Sequence, residues 1–167
     1  MQIDLSKPAG DYVGFLPFIV GEERDKLIKA AQELHGSYWS LSVGRFFECS
    51  KGVFKHIGIE SNDEPITTGQ YLWVLGFKDF LELVAKVSKK YDVPQTADEK
   101  RAAAGCLQLT PYESVIVFLQ SFFGLHSFDE AEERSMLEYI TARKAVYNKA
   151  VFEKRMAQIQ RAKYKKK

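Results

Sequence analysis

Three Ser/Thr-x-x-Glu/Gln tetrads constrain this chain more than any other feature: Thr67-Thr68-Gly69-Gln70, Thr110-Pro111-Tyr112-Glu113 and Ser127-Phe128-Asp129-Glu130. In such a capping box the first hydroxyl accepts an orphaned backbone N–H. The fourth side chain reaches back to the first residue's own N–H, so the tetrad favours a helix start. Each is followed by apolar residues at helical spacing. After Thr67 these are Tyr71, Leu72, Leu75, Phe80, Leu83, Val84, Val87 and Tyr91, with Gly76 as an expected break and Asp92-Val93-Pro94 as the end. After Thr110 a helix is predicted over 114–123, stopped by Gly124. Ser127 opens the longest predicted helix, from 128 to about 163. Tyr139, Ile140, Val146, Tyr147, Ala150, Val151 and Phe152 form its apolar side. Beyond Phe152 only Met156, Ile159 and Tyr164 are apolar, so its last turns are expected to project from the body.

Two more helices are predicted, one over 22–35, with acids in its first turn and Gly36 after it, and a short alanine-rich one over 98–106. The expected fold is therefore mainly α: a small helical domain with a long basic C-terminal helix. A minor β element is the exception, near the N-terminal third. Residues 12–20, broken by Gly14 and Pro17, suit a short strand or an extended arm. Residues 41–47 and 52–59 are candidates for a small β-hairpin. Leu41-Ser42-Val43-Gly44-Arg45-Phe46 also matches Ile66-Thr67-Thr68-Gly69-Gln70-Tyr71 in pattern, which reads as two helix starts of one kind. The chain divides into a helical body, 1–127, and a C-terminal helix with its tail, 128–167.

Charge is unevenly spread. Residues 141–167 hold ten Lys or Arg and one acid, Glu153, for a charge of +9, whereas residues 1–140 carry −7. An acidic body with a basic tail points to an anionic partner for the tail, or to an acidic face of the body or of a neighbouring copy. The candidate contacts are Arg143, Lys144, Lys154, Arg155, Arg161, Lys163, Lys165, Lys166 and Lys167. A protein partner would meet Tyr147, Val151, Phe152, Met156, Ile159 and Tyr164. The basic residues spread around the helix rather than along one stripe, which weakens a duplex-reading role, and no nucleic-acid-binding signature is present.

No catalytic constellation is found. His35, His56 and His126 are scattered, and neither a zinc-protease, a nucleophile-elbow nor a phosphate-loop motif occurs. Asp129, Glu130, Glu132 and Glu133 suit the positive end of a helix dipole better than a metal. Cys49 and His56 lack a third orienting group. No catalytic residue, metal ligand or cofactor is expected. Cys49 and Cys106 read as buried free thiols of a reducing, cytoplasmic setting. No secretory signal is visible. The apolar runs 12–20 and 115–123 read as core, because a bilayer span needs roughly 20 apolar residues, and no membrane partner is expected.

Three segments resemble a family. Ile66-Thr67-Thr68-Gly69-Gln70-Tyr71-Leu72, Leu109-Thr110-Pro111-Tyr112-Glu113, and the ending from Tyr147-Asn148-Lys149 through Arg155-Met156 to Lys163-Tyr164-Lys165 are similar in layout to small helical proteins of tailed bacteriophages and prophages. The nearest type is the tail assembly chaperone. The resemblance covers 66–167 and carries no position-specific functional residue. It implies a non-enzymatic assembly factor of the host cytoplasm that binds a tape-measure-like protein and keeps its apolar helices soluble until tube subunits polymerise. Copies of the chain itself are a second expected partner. A virion neck or tail component fits the same residues. A nucleic-acid-associated protein acting through the basic helix is the alternative.

Overall fold

The computed structural model describes residues 3–12, 16–56, 65–93, 95–104, 106 and 108–164. It is mainly α, as the capping boxes require. The helices are α1 Glu22–His35, α2 Val43–His56, α3 Thr68–Lys90, α4 Ala97–Ala103, α5 Pro111–Phe123, α6 Phe128–Glu132 and α7 Met136–Tyr164. Short 3-10 turns lie at Ala9–Asp11, Leu16–Phe18 and Tyr38–Ser40. Among the described residues there is no strand.

The reciprocal box is present at Thr67 and Thr110, and a further one at Thr96 starts α4. At Ser127 only half of it forms. The hydroxyl accepts from Glu130 N–H, but the Glu130 carboxylate accepts from His126 N–H at 3.0 Å instead. Gly124 ends α5 in the left-handed region at φ 66°, which glycine enters without a Cβ clash.

The proposed hairpin does not form. Residues 43–56 are helix α2, kinked at Gly52, and 57–59 fall outside the described residues. Val43, Phe46 and Cys49 point inward at helical spacing, so burial of one face outweighs the cost of Gly44 and Gly52. The match between 41–46 and 66–71 is indeed a pair of helix starts, and the likeness goes further. At α3, Thr68 N–H donates to Lys7 C=O at 2.8 Å and Ala9 N–H to Ile66 C=O at 2.7 Å. At α2, Val43 N–H donates to Arg134 C=O at 2.7 Å and Met136 N–H to Leu41 C=O at 2.8 Å. A crossing segment thus satisfies backbone groups that a helix start leaves orphaned. Gly69 and Gly44 make room for it. A Cβ on Gly69 would lie 3.1 Å from Leu5 C=O, and one on Gly44 3.3 Å from Glu132 Cβ.

The helix expected from 128 to 163 is two. Between α6 and α7 the chain turns at 133–135, and Ser135 caps α7. Its hydroxyl accepts from Glu138 N–H at 3.2 Å, and its own N–H donates to the Glu138 carboxylate at 2.8 Å. Because Ser135 also bridges Ser42, the starts of α2 and α7 cap one another.

The core is built around α3. Tyr38, Phe46, Trp73, Phe77 and Phe80 form one aromatic cluster, with Tyr38 and Trp73 centroids 5.0 Å apart. Tyr38 O–H donates to Trp73 C=O at 2.9 Å, and Trp73 Nε1–H to Gly36 C=O at 2.8 Å, so both polar tips are satisfied. The buried face of α3 runs through Leu72, Trp73, Gly76, Phe77, Phe80 and Val84, while Tyr71 and Leu83 face outward. Gly76 does not break α3; it lies at the α1 crossing, against Tyr38 and Ile28. Ile116, Leu119, Met136, Tyr139 and Ala142 extend the buried residues to α5 and α7. The apolar runs are only partly core, since Phe18, Val20, Val117, Phe122 and Phe123 are exposed. Cys49 is buried as expected, but Cys106 is exposed, just beyond α4, whose residues are all exposed.

Candidate protein-binding surface on the last helix

Helix α7 has two unlike halves. Its first two turns belong to the core, through Met136, Tyr139, Ile140 and Ala142. From Phe152 to Tyr164 every residue is exposed, so the last turns project as expected. The 29-residue helix is roughly 44 Å long at 1.5 Å per residue, and nearly half of that length has no packing in the monomer.

The projecting half carries an apolar seam. Phe152 is 64% exposed, Met156 40% and Ile159 50%. Their spacing of four and three places them on one stripe of the helix. Traced back toward the body, the same four-three alternation passes Lys149 and reaches Ala145. There the seam enters a groove of about 480 Å³ between α5 and α7, lined by Phe118, Phe122, Ala145, Val146 and Lys149 among others. Traced outward it ends at Lys163. Tyr164, though 80% exposed, sits beside the stripe rather than on it.

The remaining predicted contacts separate into two groups. Tyr147 and Val151 are half-buried, and Tyr147 packs on Tyr91 with centroids 5.8 Å apart. They anchor the helix instead of projecting with the seam. Lys144, Lys154, Arg155, Arg161 and Lys163 are exposed; Lys165, Lys166 and Lys167 lie outside the described residues. Arg143 is not a tail residue in function. Its guanidinium donates to Ser88 C=O and to Asp92 Oδ1, both at 3.2 Å, and lies 5.6 Å from the Phe118 ring centroid. It staples α7 to the end of α3.

The root of α7 is acidic. Glu130, Glu133 and Glu138 line a cleft with Arg134 and Leu125. The Ser135 N–H, followed by Arg134 and the Ser135 hydroxyl, holds the Glu138 carboxyl below the usual glutamate range. The sequence did not mark this residue as part of a surface, although Ser135-x-x-Glu138 is itself a capping-box pattern. Arg134 lies over the ring of Phe123, 4.9 Å from its centroid, and Phe122, Phe123, Phe128 and Leu137 are exposed.

Among the described residues no other group gathers chemistry. Among the described residues no group of three or more His, Cys, Asp and Glu is placed to hold a metal ion. Burial pushes the Cys49 thiol up, opposite to what a nucleophile needs, and the His56 side chain lies outside the described residues. His35 packs by Gly69 at the end of α1, and its burial lowers its pKa. His126 is exposed. Among the described residues no helix is long and apolar enough to cross a membrane. No family model matches the chain, and neither a curated protein nor a solved structure does.

Proposed function

We propose that this protein is a non-enzymatic helical adaptor that holds an apolar helix of a partner protein against the outer half of α7, in the manner of a phage-type assembly chaperone. One observation carries the reading: an apolar seam of three large residues, exposed on a helix whose last turns leave the body. Large exposed apolar side chains at i, i+4 and i+7 form the seam that helix-in-groove recognition uses. Burying them stabilises a complex by about 1.5–3 kcal/mol each before the cost of association is subtracted. The flanking Lys154, Arg155, Arg161 and Lys163 set encounter rate and orientation toward an acidic client. The layout likeness of 66–167 to tail assembly chaperones agrees with a tape-measure-like client, and a neck or tail component would use the same surface.

The test is affinity capture from the native source, in moderate salt and after nuclease treatment. A long helix-rich protein recovered in stoichiometric amount, and lost when Phe152→Glu and Ile159→Glu are introduced together, supports the reading. The exposed bases favour nucleic acid as the second reading. In that case recovery collapses with nuclease, and affinity falls steeply with salt, with a slope reduced by substituting Lys154, Arg155, Arg161 and Lys163 by Gln.

A further inference from the structure

Just before the α7 seam, at the root of the helix, the surface is acidic, and at the tip of the seam it is basic. At the root lie Glu130, Glu133 and Glu138 with one guanidinium, Arg134. At its tip lie Arg161 and Lys163. A surface of that kind is complementary to itself when turned end over end, which is the operation of a two-fold axis across the helix.

We propose that a second copy of this chain covers the seam, with the two α7 helices paired antiparallel in an isologous dimer. The alternation Ala145, Lys149, Phe152, Met156, Ile159, Lys163 is the four-three repeat of a coiled-coil seam. Matching its layers in the antiparallel sense sets Met156 of one copy opposite Ala145 of the other. Phe152 then meets Lys149, whose ammonium lies over an aromatic ring, and Lys163 meets Glu138. The small Ala145 leaves space for the long Met156 side chain, and the groove formed with Phe118 and Phe122 receives the outer seam of the second copy. A parallel pair in register does the reverse. It stacks Lys149 on Lys149 and Lys163 on Lys163, with like charges directly opposed in two of six layers. Charge therefore selects the antiparallel arrangement. The overlap from 138 to 163 runs roughly 38 Å along the helix.

This inference rests on the seam being the working surface and names what covers it before a client does. Self-pairing shields the exposed Phe152 and Met156, and a client helix must compete for the same stripe.

Two measurements on the full chain decide it. In sedimentation equilibrium the wild type forms a dimer between about 10 and 100 μM, and Phe152→Glu weakens it by about 100-fold or more, because symmetry makes each substitution act twice. Orientation is read by cross-linking in a Cys106→Ser background. Ala145→Cys and Met156→Cys chains, mixed under mild oxidation, form a disulfide with each other and neither forms one with itself, since bridged Cα atoms must lie within about 7 Å. A disulfide of Met156→Cys with itself overturns the antiparallel arrangement. A monomer mass for the wild type at about 100 μM overturns self-pairing altogether. It leaves the adaptor reading standing if client capture still depends on Phe152 and Ile159.

Discussion

Replacing Gly76 by alanine is the most stringent test of the core. In the middle of a helix this change ordinarily stabilises by about 0.5–1 kcal/mol, through backbone entropy. Here the new methyl would fall onto the Tyr38 hydroxyl, with Ile28 Cγ2 only 2.5 Å away. Both neighbours are buried, so neither can swing into solvent. Overpacking of this kind costs about 1–3 kcal/mol, which exceeds the helical gain. Gly76→Ala is therefore expected to lose about 1–2 kcal/mol net, a fall in melting temperature of about 2–8 °C for a chain of this size. A second substitution isolates the cause. Tyr38→Phe alone loses its hydrogen bond to Trp73 C=O, about 0.5–1.5 kcal/mol. It also removes the oxygen that the Gly76→Ala methyl meets, so the double variant is more stable than the sum of the singles predicts, by about 0.5–1 kcal/mol. Urea unfolding at constant slope reads all four chains. Gly76→Ala as stable as wild type, or strict additivity in the cycle, would refute the close α1–α3 crossing.

Three further outcomes follow from the same geometry. Ser135→Ala removes the cap of α7 and is expected to cost about 1 kcal/mol in urea unfolding; a cost within error would mean that the Ser42–Ser135 junction carries the helix start without it. The Glu99, Glu113 and Glu138 carboxyls lie below their ordinary 4.5, and His35 below its ordinary 6.5. In both cases the unfolded chain binds protons first, so the contribution is present above the ordinary pKa and is lost as pH falls through the lowered one. The urea midpoint should drop first below pH 6.5, through His35, in a limb that His35→Asn removes, and again below pH 4.5; a midpoint that rises between neutral pH and pH 5.5 contradicts this. In the native protein a thiol reagent should modify Cys106 at once and Cys49 only at the rate of unfolding, because Cys49 is buried with its thiol pushed up; prompt modification of two thiols would contradict that burial.

The helices at 22–35 and 114–123 were legible because local signals agree there: a charged or capped start, one apolar face and a glycine at the end. Helix α2 was hidden by Gly44 and Gly52, which look like strand punctuation. Gly44 is needed for the close approach of Glu132, a contact 88 residues away that no window contains. In α3 a single apolar stripe was the wrong template. The helix is covered on more than one side, so Trp73 and Phe77 are its most buried large residues and Leu83 is outside. The break at 133–135 was masked by good helix formers on both sides, although Ser135-x-x-Glu138 was there to be read. On the candidate surface, Phe152, Met156 and Ile159 were recognisable because charged residues isolate them. Arg143 was not, since its partners Ser88 and Asp92 are more than 50 positions away. Charge counting assigned it to the tail, while packing assigns it to the body.

In the proposed function the outer half of α7 is where this protein meets another. Hydrogen exchange along α7, read residue by residue with and without the captured client, reports on that contact. An unpacked helix end opens readily, so fast exchange is expected over residues 152–164 in the dilute free chain and strong protection of the same residues in the complex, with the core turns at 136–142 protected throughout. Unchanged exchange over 152–164 in a complex of full occupancy would contradict it.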